Sequence, residues 1–238
     1  FYISLIGEAF DGYTAAYMGD REVYIKHVNI RDQRYLHKHY EKYKQLALSK
    51  GLGSEEERTA YVLKEEIWST EEDIKIESLK SEVENLEITV RKLPLPSHRA
   101  QMAGDIKKLQ KELNELMQKR KAVIGQTAED YATVRSGDEI LRFLLFKNKE
   151  LTEHLYTEEE FGELEIWEIA KITALQADVH ERLSDSRIQE AVLRPFFSMY
   201  LSLCEDAAGF YRKPIPSLTI YQLRVVLFGR MFFNIFQN

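Results

Sequence analysis

The chain has 238 residues, of which 44% are hydrophobic and 30% charged, so it can bury a sizeable core in one domain or in one domain with an elaboration. Its 39 acidic and 33 basic side chains give a formal net charge of −6, which argues against a dedicated nucleic-acid-binding protein, since such domains tend to have isoelectric points above about 9. The single cysteine, Cys204, excludes a disulfide within one chain and favours folding in a reducing, cytoplasmic environment.

The first residues favour β structure. The stretch YTAAYMGDREVYIKHV (13–28) contains two runs rich in Tyr, Val and Ile that meet at Gly19-Asp20, a dipeptide suited to a two-residue hairpin loop. The stretch YISLIG (2–7) is expected to add a third strand, because three strands are about the minimum for a small stable sheet. We therefore predict a small β-meander over residues 1–28, packed on a helical body.

Residues 29–68 and 125–238 carry helical patterns and are predicted to form this body, so the fold class is mainly α. Asn29 is placed to cap a first helix, and Gly51 is placed to end it. Few glycines and prolines interrupt these patterns, which favours long helices. A Ser or Thr followed three residues later by an acid marks four more helix starts: Ser54–Glu57, Ser69–Glu72, Thr127–Asp130 and Thr157–Glu160.

Two segments with a seven-residue apolar repeat form the clearest pattern in the sequence. A break at PLPS (94–97) separates them, and Arg120 alone interrupts the apolar positions. Helices joined by so short a turn must fold back on each other, so we predict an antiparallel coiled-coil hairpin over 69–124 that projects from the body. The alternative is two helices of an ordinary bundle, with a broader apolar stripe. The repeat positions are Ile76, Leu79, Val83, Leu86, Val90, Leu93, Met102, Ile106, Leu109, Leu113, Leu116 and Val123.

The C-terminal part of the body contains three helical patterns before the last helix, over 127–146, 164–183 and 187–205. Pro195 lies inside the third pattern and is expected to kink it or to reset its start.

The last helix, predicted over 219–236, is apolar nearly all round and must be buried in a core or in an interface. We expect Leu223, Val226 and Leu227 to pack inward, and the other side of the helix to bind a protein, either a second copy or a different chain. A fully buried central helix is the alternative. Two arginines inside the stretch argue against a membrane span. The predicted interface residues are Phe228, Phe232 and Ile235, with Arg224 and Arg230 at the rim.

No reaction is indicated by the sequence, so no catalytic, cofactor-binding or metal-binding residue is predicted. His37 and His39 form an H-x-H pair, but residues two apart on a helix point about 200° away from each other and cannot share one ion. Sequence motifs for phosphate loops, dinucleotide binding, nucleophile elbows and zinc proteases are missing from the chain. The sequence favours a protein that is not an enzyme.

The helix over 31–50 interleaves basic and aromatic residues, a combination that can hold phosphates and stack bases. An alternative interpretation of the whole chain is therefore a helical regulatory or nucleic-acid-binding module. The simpler interpretation of this helix is an amphipathic helix with its tyrosines turned inward. The candidate contacts to nucleic acid are Arg31, Arg34, Lys38, Lys42 and Tyr43.

Four features together resemble assembly and structural proteins of tailed bacteriophages. They are the N-terminal FDGYTAAYMGDREVYIKH, the charged helical hairpin, GQTAEDYA (125–132), and the closing LTIYQLRVVLFGRMFFNIF. The resemblance implies a noncatalytic role in a tail, baseplate or neck, in the virion or as an assembly factor in the host cytoplasm. It implies other proteins as partners within a larger assembly, and it transfers no catalytic or ligand-binding residue.

Overall fold

Most of the chain is helical, and its strands form one small antiparallel sheet near the N-terminus, so the predicted mainly α class is confirmed. The computed structural model of the protein describes residues 1–92 and 96–237. They divide into two compact units, one formed by Phe1–Tyr40 with Arg135–Asn238 and the other by Glu41–Val134.

The sheet of the first unit is built on the predicted hairpin. Strand β1 (Tyr13–Met18) pairs antiparallel with β2 (Arg21–Lys26), and a two-residue turn joins them. Gly19 in that turn has a φ of +67°, a backbone conformation that glycine adopts without strain. The predicted hairpin and its loop are therefore confirmed. The third strand, β3 (Leu145–Phe146), pairs with the other edge of β2.

Residues 2–7 are not a strand, and that prediction is wrong: helix α1 spans Tyr2–Asp11. Its apolar residues recur with helical spacing, so that Leu5, Ile6 and Ala9 are buried on one face. Gly12 ends the helix with a φ of +82°, and its N–H donates to the Glu8 carbonyl. A short apolar run fits a strand or a helix equally well, and Gly12 is the one local signal in the sequence that favours the helix.

The predicted helix starts agree with the structure. In all four capping boxes the Ser or Thr hydroxyl accepts the backbone N–H three residues on, and the acid accepts the N–H of the cap. A 3₁₀ helix begins at Pro195, which therefore resets the chain as expected. The remaining helices are α2 (Ile30–Ser49), α3 (Glu55–Lys64), α4 (Thr70–Lys92), α5 (Pro96–Ile124), α6 (Ala128–Phe143), α7 (Glu158–Gly162), α8 (Ile166–Arg182), α9 (Asp185–Val192), α10 (Ala207–Tyr211) and α11 (Ile220–Gln237), with 3₁₀ helices at Pro195–Leu203 and Ile215–Ser217.

The core of the first unit forms where α1, α9, α11 and the 3₁₀ helix Pro195–Leu203 meet. Phe197 and Val225 are fully buried there, and the sheet adds Val23 and Leu145. Both ends of the chain contribute to this core, so neither the N-terminal nor the C-terminal part can complete it alone.

In the second unit, α4 and α5 run antiparallel. Their polar contacts pair Asp73 with Arg120 and Glu87 with Gln110, so the start of one helix lies beside the end of the other. The heptad positions Ile76, Leu79, Val83 and Ile106 are buried. Leu93 and the predicted proline turn lie outside the described residues.

The base of this hairpin shares a core with α3. Val62 and Trp68 pack there with Ile76 and Ile124. The compact unit that contains the hairpin therefore runs from Glu41 to Val134, which is wider than the predicted insertion over 69–124. Whether the hairpin projects stays a prediction.

Arg120, the residue that interrupts the heptads, lies at this base. Its guanidinium donates to Asp73 at 2.9 Å and to Glu55 at 2.8 Å, and Asp73 also accepts from the Trp68 indole at 3.0 Å. The arginine thus leaves the apolar seam and connects the starts of α3 and α4 to the end of α5. A polar residue at a core heptad position can specify the register in which two helices of a coiled coil pair, and Arg120 is such a residue.

Replacement of Gly229 tests the packing of the first unit. A Cβ at this position would lie 2.5 Å from Cys204 Sγ and 3.0 Å from Cys204 Cβ. Helix propensity alone favours Ala over Gly by about 1 kcal/mol. We nevertheless expect Gly229→Ala to lower the free energy of unfolding by about 1–3 kcal/mol, because overpacking is the larger effect. Urea denaturation measures the difference.

Gly7→Ala is the matched control, since Gly7 also lies within a helix and a Cβ there meets nothing within 4 Å. It should raise the free energy of unfolding by up to about 1 kcal/mol. Cys204→Ala should recover part of the loss in the Gly229→Ala background. A stabilising Gly229→Ala would show that α11 does not approach Cys204 so closely.

Candidate functional site

The start of α11 is anchored by a polar cap. The Gln222 N–H donates to Thr219 Oγ1 at 3.2 Å, and the Thr219 N–H donates to Gln222 Oε1 at 2.9 Å. Gln222 Nε2 also donates to the Phe10 carbonyl at 2.9 Å. Both side chains of the cap are buried, so these bonds tie the first turn of α11 to the end of α1.

The face that α11 turns inward differs from the predicted one. Phe228 is 7% exposed and packs in the core, so its assignment to an interface is wrong. Leu227, which was expected to pack inward, is 56% exposed. Val226 is buried and Leu223 half-buried. On a helix that is apolar nearly all round, the hydrophobic pattern leaves the rotation about the axis undetermined.

The outer face of α11 carries a row of exposed apolar side chains. Leu227, Met231 and Ile235 follow each other at steps of four and are 56%, 46% and 59% exposed. Residues four apart on a helix lie on one face, one above the other. We call these three residues the tail stripe. Ile235 was predicted at the interface, whereas Leu227 and Met231 were not.

The other predicted interface residues border this stripe or pack partly inward. Phe232 is half-buried against the core and stacks on the exposed Phe236 with ring centroids 6.4 Å apart. Arg224 lies one turn before Leu227 and forms an ion pair with Asp185 at 3.0 Å. Arg230 is exposed, about 60° round the helix from Leu227.

The candidate nucleic-acid contacts lie on α2. Arg31, Arg34 and Lys38 are exposed in the first unit, and Lys42 is exposed in the second. Tyr43 is half-buried. Among residues 1–92 and 96–237, none of these four cations has an ion-pair partner.

Tyr35, the aromatic residue among the first three cations, is already engaged. Its ring stacks on Phe143 with centroids 4.9 Å apart, and its hydroxyl donates to Glu139 Oε1 at 3.2 Å. Burial raises the pKa of the Tyr35 hydroxyl, and the nearby Glu139 carboxylate adds to the effect. This ring is therefore not available to stack on a base.

A partly buried polar chain connects Glu8 of α1 to Thr14 of β1 and to His27, the residue that follows β2. Thr14 Oγ1 donates to Glu8 Oε2 at 3.0 Å and lies 2.9 Å from His27 Nε2. Because the hydroxyl has one proton and donates it to Glu8, His27 must donate to Thr14 Oγ1 through Nε2–H. Arg182 donates to the other Glu8 oxygen at 3.3 Å.

This chain of groups is not arranged for nucleophilic catalysis. A catalytic base would accept the hydroxyl proton, whereas here the imidazole donates to the hydroxyl. Thr14 is 0% exposed and His27 is 2% exposed, so a substrate has no access. Burial lowers the pKa of His27 to about 4. The sequence did not single out His27, because no spacing motif connects it to Glu8 and Thr14.

The described part of the second unit contains a cavity of about 630 Å³ at the base of the hairpin. Its charged side chains are all engaged with one another: Arg120 with Glu55 and Asp73, Lys80 with Glu77, and Lys121 with Asp130. Four carboxylates and three cations line the cavity, and each of these charged groups already has an ion-pair partner, so none is left for a ligand to pair with directly.

Outside residues 93–95 and 238, no group of three or more His, Cys, Asp or Glu side chains is placed to hold a metal ion. Within the same residues, no helix combines the length and apolar character needed to cross a membrane.

No protein-family model, curated protein or solved structure matches the chain. Its surfaces are therefore what is left to indicate a function.

The neutral state of His27 makes the stability of the first unit depend on pH. An unfolded histidine has a pKa near 6.5, whereas burial lowers the pKa of His27 to about 4. Between these values the unfolded chain binds a proton that the folded chain does not, so stability falls as pH falls. We expect this group to account for a loss of about 2–3 kcal/mol between pH 7 and 4.5, measured by urea denaturation.

The variant His27→Gln should lose less stability than the parent over this pH range. His37→Gln is the matched control, since His37 is exposed, and it should lose as much as the parent. Equal losses in the parent and in His27→Gln would contradict a neutral buried His27.

Proposed function

We propose that this chain is a noncatalytic protein-binding component of a larger assembly, and that the tail stripe on α11 is its main contact. The stripe of Leu227, Met231 and Ile235 is the observation that carries this proposal. Single exposed apolar side chains are common on proteins. Three exposed apolar side chains along one helix face have the spacing of the anchor residues with which a helix binds in the hydrophobic groove of a partner.

The rigidity of α11 supports the same proposal. Its inner face is held by Val225, Phe228 and the close approach of Gly229 to Cys204, and its start is capped by Thr219. A partner would therefore bind side chains on a helix that is already ordered, at a small further cost in conformational entropy. Complete burial of each side chain of the stripe contributes on the order of 1 kcal/mol or more.

The resemblance of the sequence to structural and assembly proteins of tailed bacteriophages supports a more specific proposal. The assembly would be a phage tail, baseplate or neck, and the chain would act in the host cytoplasm or in the virion. The α4–α5 hairpin is a second candidate contact, because Ile74, Ile88 and Met117 are exposed on it.

A noncatalytic role is supported by the state of the polar groups. The buried hydroxyl–imidazole chain is closed to solvent, and each charged group around the cavity in the second unit already has an ion-pair partner. Catalytic sites instead present titratable groups to a substrate.

Two neighbouring residues test the assignment of the two faces of α11. Phe228→Ala should lower the free energy of unfolding by about 3–5 kcal/mol, because it leaves a cavity in the core. Leu227→Ala should change it by less than about 0.5 kcal/mol, because its side chain is mostly in solvent. Urea denaturation of both variants measures this, and equal losses would refute the assignment.

Binding through the stripe can be tested by photo-crosslinking in the source cells. A photoreactive phenylalanine analogue at Met231 should give discrete adducts with one protein, either a second copy of the chain or a different one. Leu227→Ala with Ile235→Ala should abolish those adducts. Tyr17, which is 68% exposed on β1, is the control position. Adducts at Met231 no stronger than those at Tyr17 would contradict the proposal.

A further inference from the structure

The first turns of α2 present three cations in a row. Arg31, Arg34 and Lys38 are all exposed and follow each other at steps of three and four. These steps keep the three side chains within an arc of about 60° and spread them over about 10.5 Å along the helix. We call these three residues the basic row. Lys42 belongs to the other compact unit and is left out of it.

The basic row keeps its full charge. Across residues 1–92 and 96–237, none of its three side chains forms an ion pair or a hydrogen bond with another side chain. Some other cations of the same unit are paired, as Arg142 is with Glu139 at 2.6 Å and Arg224 with Asp185 at 3.0 Å. The charge of the row is therefore available to a ligand.

The stability of α2 does not explain the row. Arg31 lies in the first turn of α2, where a cation interacts unfavourably with the helix dipole by about 0.3–1 kcal/mol. Like charges three or four residues apart on a helix also repel each other. The first turn already contains an acidic residue, Asp32, whose charge interacts favourably with the helix dipole. The Asp32 carboxylate accepts the Asn29 N–H, and the Asp32 N–H donates to the Asn29 side chain. A local pattern that opposes stability, with no compensating contact, is typical of a functional surface.

We infer that the basic row binds the phosphate backbone of double-stranded DNA. Charge complementarity supports this occupant: duplex DNA carries one negative charge per about 1.7 Å of its axis, so the roughly 10.5 Å of the row lies against several phosphates. This partner is distinct from the protein bound by the tail stripe.

The state of Tyr35 favours a duplex over a single strand. Binding of single strands relies on aromatic rings that stack on bases. The ring of Tyr35 is stacked on Phe143 and is not free to do so. The row itself can contact phosphates and has no ring to read bases, so binding is independent of DNA sequence.

The expected affinity is low. If the three cations neutralise three phosphates, a plot of the logarithm of the binding constant against the logarithm of the salt concentration should have a slope of about −2.7. Sequence-independent binding has dissociation constants of about 10⁻⁴–10⁻⁶ M at physiological salt, and the net charge of −6 opposes approach at low salt. Measurements should therefore extend from about 20 to 150 mM salt.

Fluorescence anisotropy with a labelled DNA duplex of about 20 base pairs tests the inference on the full chain. The parent should bind with the predicted slope. The triple variant Arg31→Gln, Arg34→Gln and Lys38→Gln should bind at least about tenfold more weakly at low salt. The control triple variant Lys107→Gln, Lys111→Gln and Lys119→Gln removes the same charge from exposed positions of α5 and should bind within about twofold of the parent.

Three results would overturn the inference. They are the lack of saturable binding by the parent at the lowest salt, an equal loss in both triple variants, and tighter binding of single-stranded DNA or anionic vesicles than of the duplex. The tail-stripe variant Leu227→Ala with Ile235→Ala should bind DNA as the parent does, so failure of this inference is distinguishable from failure of the proposed protein interaction.

Discussion

The first unit depends on the close approach of α11 to the 3₁₀ segment that ends at Cys204. Gly229 makes this possible, because any side chain at that position would collide with the cysteine sulfur. With the contact in place, Val225 and Phe228 are turned into the core. The rotation of α11 about its axis is then determined, and Leu227, Met231 and Ile235 are left in solvent. One steric constraint thus produces both the core and the candidate interface.

Features controlled by local chemistry could be predicted from the sequence. The capping boxes need only two side chains three residues apart, and the β1–β2 turn needs only a glycine that adopts a positive φ. The α4–α5 hairpin was also predictable, because its narrow seam separates apolar from charged positions over many turns. In each case the residues that determine the structure are close in sequence or regularly repeated.

Features decided by distant contacts were missed. Residues 2–7 are apolar enough for a strand or a helix, and the contacts of Leu5 and Ala9 with the core select the helix. The rotation of α11 could not be deduced from an all-round apolar pattern, so Phe228 was placed at the surface and Leu227 in the core. Arg120 was recognised as an interruption, but its partners Glu55 and Asp73 come from other helices. Of the tail stripe, only Ile235 was predicted at an interface. The four exposed cations of α2 were all predicted as candidate contacts to nucleic acid.

The two candidate surfaces differ in how the chain must fold to present them. The basic row lies on one helix and needs only local hydrogen bonds to align Arg31, Arg34 and Lys38. The tail stripe requires α11 to dock on a core that includes α1, at the opposite end of the chain. Residues 41–134 separate the two parts of this unit in sequence, and closing so long a loop is slow compared with forming the local contacts of a helical hairpin. The second unit is continuous in sequence and can therefore form first. In that order of folding, Leu227, Met231 and Ile235 reach their final alignment only when the core of the first unit has closed.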